Sequence, residues 1–138
     1  MKQVLFVCVG NSCRSQMAEG FANALGKGQV IAYSAGTMPA ARVHPLAIEA
    51  MREIGIDISH HEPKSIAEFD VEEFDAVVSL CDANTDALCP ATFLGVREHW
   101  NIPDPVGLPM EEFRRIRDLI GERVKALVNR LLMEEDGC

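Results

Sequence analysis

Residues 4–19 read Val4-Leu5-Phe6-Val7-Cys8-Val9-Gly10-Asn11-Ser12-Cys13-Arg14-Ser15-Gln16-Met17-Ala18-Glu19, and the fold turns on this stretch. Four apolar residues with no polar alternation mark a strand buried on both faces, here residues 3–8, as strands of parallel sheets are. Residues 15–26 follow as a helix, with Met17, Ala18, Phe21, Ala22 and Leu25 as its apolar or small stripe and Gly26 and Gly28 as its stop. Between strand and helix lies a C-x5-R-S spacing. In such a turn the backbone N–H groups point inward and the helix behind presents its positive end, so residues Val9, Gly10, Asn11, Ser12, Cys13, Arg14 and Ser15 can surround a tetrahedral oxyanion. The same field stabilises a thiolate at Cys8 and makes it a nucleophile. Arg14 can grip two oxygens with a planar fork, which lysine cannot do.

Moving outward, Val30 to Tyr33 is a second strand, closed by Ser34-Ala35-Gly36. Pro45 opens a second helix with Ile48, Met51 and Ile54 on one face and Gly55 as its stop. Residues 74–80 form a third strand and residues 96–102 a fourth. Residues 110–134 form a long amphipathic helix with Phe113, Ile116, Ile120, Leu127 and Leu131 near one face. Strands alternating with helices predict a doubly wound α/β fold, a four-stranded parallel sheet covered on both faces. Ligands of that class bind beyond the C-terminal ends of the strands, where Cys8 and Cys81 both fall.

Cys81 follows the third strand at once, and Cys89 lies eight residues later in a polar, turn-prone segment. Two central strands ending in cysteines can bring their thiols together over the loop. Three thiols in series are what a reductase needs: one attacks, one displaces, one carries the oxidising equivalents away. A cysteine at a strand end is also simply a small buried hydrophobe. A zinc site from Cys8, Cys13, Cys81 and Cys89 is a further reading, but neither pair has C-x2-C spacing and Arg14 opposes a cation, so no metal is expected. Asp104, between Pro103 and Pro105, can present a general acid over the anion site; Asp-Pro is equally a common turn. His60 and His61 read as a solvated pair, with His61 able to approach the thiols.

The chain has 138 residues, 25% charged and 48% apolar, and is expected to form one domain over 1–138. It shows no membrane-length apolar run and no basic leader, so a cytoplasmic location is expected. Five cysteines there argue for redox or catalytic work. A net charge of −8 argues against nucleic acid as a partner. It also opposes the approach of an anion, although loop amides and Arg14 act within a few ångströms while the global field is screened over about 8 Å.

Several stretches resemble the arsenate reductases built on the low-molecular-weight protein tyrosine phosphatase fold. They are Cys8 to Gly20, Ser34-Ala-Gly-Thr, Ser79-Leu-Cys81 with Cys89-Pro90, Glu98-His-Trp100 and Asp104-Pro105. The phosphatases of that fold carry proline after Arg-Ser, where this chain has Gln16, and a tyrosine after Asp-Pro, where it has Val106. The resemblance implies that Cys8 attacks arsenate while Asp104 protonates the leaving oxygen. Cys81 would then attack Cys8, releasing arsenite, and Cys89 would move the disulfide outward for reduction by thioredoxin. Asn11 would brace the loop and Ser15 would hydrogen-bond the Cys8 thiolate. No bound cofactor is implied, only an external thiol reductant; phosphate or sulfate would act as substrate analogues, and a monomer is expected. Some members hold potassium with residues matching Asn11, Glu19 and Ser34 plus an aspartate after the second helix. Lys64 falls near that aspartate's place, so no potassium site is expected. A tyrosine phosphatase using Cys8, Arg14 and Asp104 is the alternative enzyme, and an oxyanion or redox sensor the non-enzymatic one.

Overall fold

The computed structural model describes residues 1–80 and 93–136, with side chains through residue 133. Strand β1 is Lys2–Cys8, followed by helix α1 (Arg14–Leu25), β2 (Val30–Gly36), α2 (Pro45–Glu53), β3 (Ala76–Ser79), β4 (Val96–His99) and α3 (Met110–Asp136). Two short 3-10 turns, Ile66–Glu68 and Val71–Glu73, precede β3. The sheet has the order β2-β1-β3-β4 with every pair parallel, as the alternation of strands and helices predicts. β1 and β3 are central neighbours, with Val7 opposite Ser79 and Leu80 N–H donating to the Val7 carbonyl. Their C-terminal ends therefore lie side by side.

Val4, Leu5, Phe6 and Val7 are all fully buried because alternate residues feed two cores. Val4 and Phe6 pack with Met17 and Phe21 of α1, Met51 of α2 and Phe113, Ile116 and Ile120 of α3. Leu5 and Val7 pack with Ala35, Phe74, Val77 and Phe93, closed over by Tyr33, Ile66 and Phe69. Among the described residues, then, all three helices cover one face and the 3-10 turns cover much of the other. The sheet is thus covered on both faces, as the doubly wound α/β reading predicts.

Element ends follow their local chemistry. α1 stops at Gly26, whose N–H caps the Ala22 carbonyl. α2 starts at Pro45 behind His44, whose ring nitrogen Nδ1 accepts from Leu46 N–H. It ends at Glu53, so Ile54 falls outside the helix and is 42% exposed, contrary to its expected place on the buried face. The buried face is made of Ala47, Ala50 and Met51 instead. The small side chains of Ala47 and Ala50 let α2 lie close to α3. α1 and α3 approach at Gly121, where a Cβ would stand 2.8 Å from the Phe21 ring. The third and fourth strands are shorter than residues 74–80 and 96–102, although Phe74, Leu80, Trp100 and Ile102 beyond their ends are all buried.

Candidate active site

The turn from β1 to α1 is held open by its own carbonyls. Those of Cys8, Val9, Gly10 and Ser12 accept from the N–H groups of Thr37, Met38, Ala40 and His44, at 3.2, 2.9, 2.8 and 2.7 Å. The Asn11 carbonyl accepts from the Gln16 amide at 3.0 Å, and the Cys13 carbonyl accepts the first α1 bond from Met17 at 3.0 Å. In a planar trans peptide the N–H points opposite to the carbonyl that precedes it. With those carbonyls turned outward, the amides turn into the loop, and Asn11 N–H indeed points at Cys8 Sγ, 3.2 Å away. Residues 37–44 thus form an outer wall that holds the loop carbonyls turned outward.

Cys8 is buried, at 3% exposure, with Sγ 2.9 Å from Ser15 Oγ. The neighbouring contacts favour one direction for that bond. Lys64 N–H, necessarily a donor, meets Asn11 Oδ1 at 2.8 Å, so Asn11 Nδ2 is the group facing Ser15 Oγ, also at 2.8 Å. Ser15 Oγ accepts there and has its one proton left for sulfur. With that proton available, Ser15 O–H can join Asn11 N–H as a second donor to Sγ. Asn11 makes this turn at φ +50°, a left-handed conformation that Asn tolerates.

Arg14 reaches across the sheet. Its Nη1 donates to the carbonyls of Leu80 and Ile102, both at 2.8 Å, tying the ends of the β3 and β4 chains to the loop. The Nε–Nη2 edge is then the one left for an anion, with Asp104 Oδ2 3.9 Å from Nη2. The Asp104 side chain is 54% exposed, and its Oδ1 accepts from Val106 N–H at 3.1 Å. Asp104 shapes its turn and stands beside the guanidinium. Cys13, buried at the start of α1, has its ionisation pushed far above the ordinary thiol range, first by burial and then by the charges of Asp104 and Cys8.

Cys81 and Cys89 lie outside the described residues; Leu80, the last residue before that segment, is bonded to Val7 and Arg14. Among the described residues, His61 pairs with Gln16 and Glu19 rather than with Cys8 or Cys13. Its Nδ1 faces Gln16 Oε1 at 3.0 Å and Glu19 Oε2 at 3.3 Å, and burial holds its ionisation down to about 4. Glu19, which also accepts from Ser34 Oγ at 2.7 Å, is pushed up by burial against the pull of Ser34 and Lys64. Lys64 does stand beside this group; with Glu19, Asn23, His60, His61 and Glu62 it lines a cavity of about 300 Å³. Among the described residues no group of three or more His, Cys, Asp or Glu is placed to hold a metal.

The supporting contacts were the part sequence reasoning missed. Segment 37–44, the Leu80 and Ile102 carbonyls and the His61–Gln16 contact involve backbone groups or pairs tens of residues apart. One signal was available: Gln16, only 1% exposed, is a polar residue placed next to the apolar stripe of α1 and needs buried partners.

A family model described as low molecular weight phosphotyrosine protein phosphatase matches residues 3–136. The glutaredoxin arsenate reductase of Synechocystis sp. is 43% identical over 131 residues, covering 95% of this chain and 99% of that protein. An arsenate reductase of Staphylococcus aureus is 46% identical over 120 residues, covering 86% and 90%. Among solved structures, an arsenate reductase in the phosphate binding state matches with a TM-score of 0.86 at 44% identity, over 94% of this chain and 98% of that one. This likeness runs from the first strand into the last helix, and its identity is far above what a shared fold alone requires. The chain therefore belongs to the low molecular weight phosphotyrosine protein phosphatase family and, within it, to the arsenate reductases.

Proposed function

We propose that this chain reduces arsenate to arsenite, in arsenic detoxification, by a relay of three thiols. One observation carries the reading: a buried cysteine sulfur at the floor of the strand-to-helix loop, within hydrogen-bond distance of the Ser15 hydroxyl and the Asn11 N–H. The Cys8 thiolate attacks arsenic, and a leaving oxygen departs as water once protonated by Asp104, giving a Cys8–arsenic bond. The loop amides of residues 9–15 and the Arg14 edge hold the remaining oxygens. The Cys81 thiolate then attacks Cys8 sulfur. An S–S bond forms, the sulfur–arsenic pair passes to arsenic, and arsenic(V) leaves as arsenic(III). Cys89 attacks Cys81, freeing Cys8 and leaving a Cys81–Cys89 disulfide for an external dithiol. No metal or bound cofactor is needed for any step.

Thioredoxin is the donor we favour, acting on a monomer in the cytoplasm. The Synechocystis relative's name supports a glutaredoxin donor as the second reading. Arsenate, NADPH and the purified chain, supplied in turn with a thioredoxin or a glutaredoxin–glutathione system, decide between them. Arsenate-dependent NADPH oxidation with thioredoxin is the expected result. Its absence with both systems would remove the reductase reading and leave hydrolysis of phosphate esters, the chemistry named in the family's description.

A further inference from the structure

Two side chains behind the loop, Gln16 bonded to Asn11 and His61 bonded to Gln16, bear on which way its hydrogens point. Gln16 Nε2 lies 3.0 Å from Asn11 Oδ1, 3.0 Å from the Asn11 carbonyl and 3.2 Å from the Glu62 carbonyl. Three oxygens around one nitrogen allow no flip of that amide, so Oε1 must face His61 Nδ1. His61 Nδ1 in turn has only acceptors before it, Gln16 Oε1 at 3.0 Å and Glu19 Oε2 at 3.3 Å, and so must carry a hydrogen. The other neutral tautomer would set a lone pair against both oxygens and favour a flipped Gln16. A flipped Gln16 would press its oxygen on Asn11 Oδ1 and the Asn11 carbonyl. Asn11 is the residue whose Nδ2 aims the Ser15 proton at sulfur.

We infer that His61 and Gln16 are positioning residues for Cys8: the His61 Nδ1–H holds the Gln16 amide in the orientation that keeps the Asn11 and Ser15 hydrogens directed at Sγ. The inference rests on the reading of Cys8 as the nucleophile. Burial keeps His61 neutral at working pH, so the N–H is a matter of tautomer and not of charge. Charged and titratable groups facing the two ends of this chain are Glu19, Asp57, His60 and Lys64 around His61, and Cys13 near Cys8, with Arg14 and Asp104 around Cys13.

The test is the pH dependence of Cys8 alkylation by iodoacetamide, with Cys8 followed by peptide mass mapping so that other thiols do not interfere. His61→Leu and Gln16→Leu should move the midpoint upward by about one unit, a roughly tenfold loss of alkylation rate below the midpoint. His61→Asn should recover most of that loss, because its Nδ2 sits the same two bonds from Cβ as the imidazole Nδ1. Gln16→Glu is isosteric, so it tests the point without a packing change: its carboxylate oxygens face the Asn11 and Glu62 carbonyls and should also raise the midpoint. Leu and Glu variants with the wild-type profile, or a His61→Asn no better than His61→Leu, would overturn the inference while leaving Cys8 as nucleophile. A wild-type Cys8 that alkylates like an ordinary thiol would overturn both.

Discussion

Cys8 and Cys13 are five residues apart and equally buried, yet only one faces donors. Cys8 sulfur has Ser15 and Asn11 before it; Cys13 has burial and two unfavourable charges. Position on the turn, and not exposure, separates the two thiols. Cys8→Ser should abolish both arsenate reduction and hydrolysis of a phenyl phosphate while the anion pocket survives, since an alkoxide is far harder to form than a thiolate at neutral pH. Turnover of either substrate by that variant would take Cys8 out of the mechanism. Asp104→Asn should bind phosphate about as well but lose about 10²–10⁴-fold in the chemical step for a poor leaving group. An unchanged rate would leave Asp104 with only its turn, held by the bond to Val106.

At the scale of elements, the strand–loop–helix unit depends on the end of β2 coming close behind it. A Cβ at Gly36 would stand 2.5 Å from the Val9 carbonyl oxygen and 3.1 Å from Asn11 N, so backbone must shift to admit it. Gly36→Ala should cost about 1–3 kcal/mol in denaturant unfolding and should weaken phosphate binding, because the atoms that move belong to the cradle. Equal stability and equal affinity would show that the close approach is slack. The unit itself was legible in the sequence because its signals are local: an apolar run, a Cys-to-Arg spacing and a helical stripe within 25 residues. The anchors of Arg14, which lie 66 and 88 residues away, are carbonyls that any residue type supplies, and no pattern announces them. Ile54 misled for a related reason. Periodicity placed it on the stripe of α2, but the helix ends one residue earlier and Ala47 and Ala50 do the packing.

For the whole molecule, His61 links site and stability. Its ionisation is held at about 4 in the folded chain, against about 6.5 for a histidine in an unfolded one. Between those values the unfolded chain binds more protons, so stability should fall as pH drops from about 6.5 towards 4 and level off below. Glu19, pushed upward by burial, works in the opposite sense above its ordinary range, losing stability as pH rises. Urea unfolding of wild type and His61→Asn at pH 7 and pH 4.5 separates the two: the variant should lose less on acidification. An equal loss in both would remove His61 from the account. The parallel sheet order, with β1 and β3 central and adjacent, follows the alternation read from the sequence, and it sets Cys8 and Leu80 at neighbouring strand ends.

The claim that everything else serves is the three-thiol relay, and parallel assays of arsenite formation and phosphate-ester hydrolysis in Cys81→Ser and Cys89→Ser test it most directly. Hydrolysis ends when water attacks the Cys8 adduct, whereas reduction needs thiols to deliver two electrons. Both variants should therefore lose catalytic arsenate reduction and keep most of their hydrolysis. After one equivalent of arsenate, mass mapping should find no internal disulfide without Cys81 and a Cys8–Cys81 disulfide without Cys89. Arsenate reduction over many turnovers by the double variant, with thioredoxin supplied, would contradict the relay.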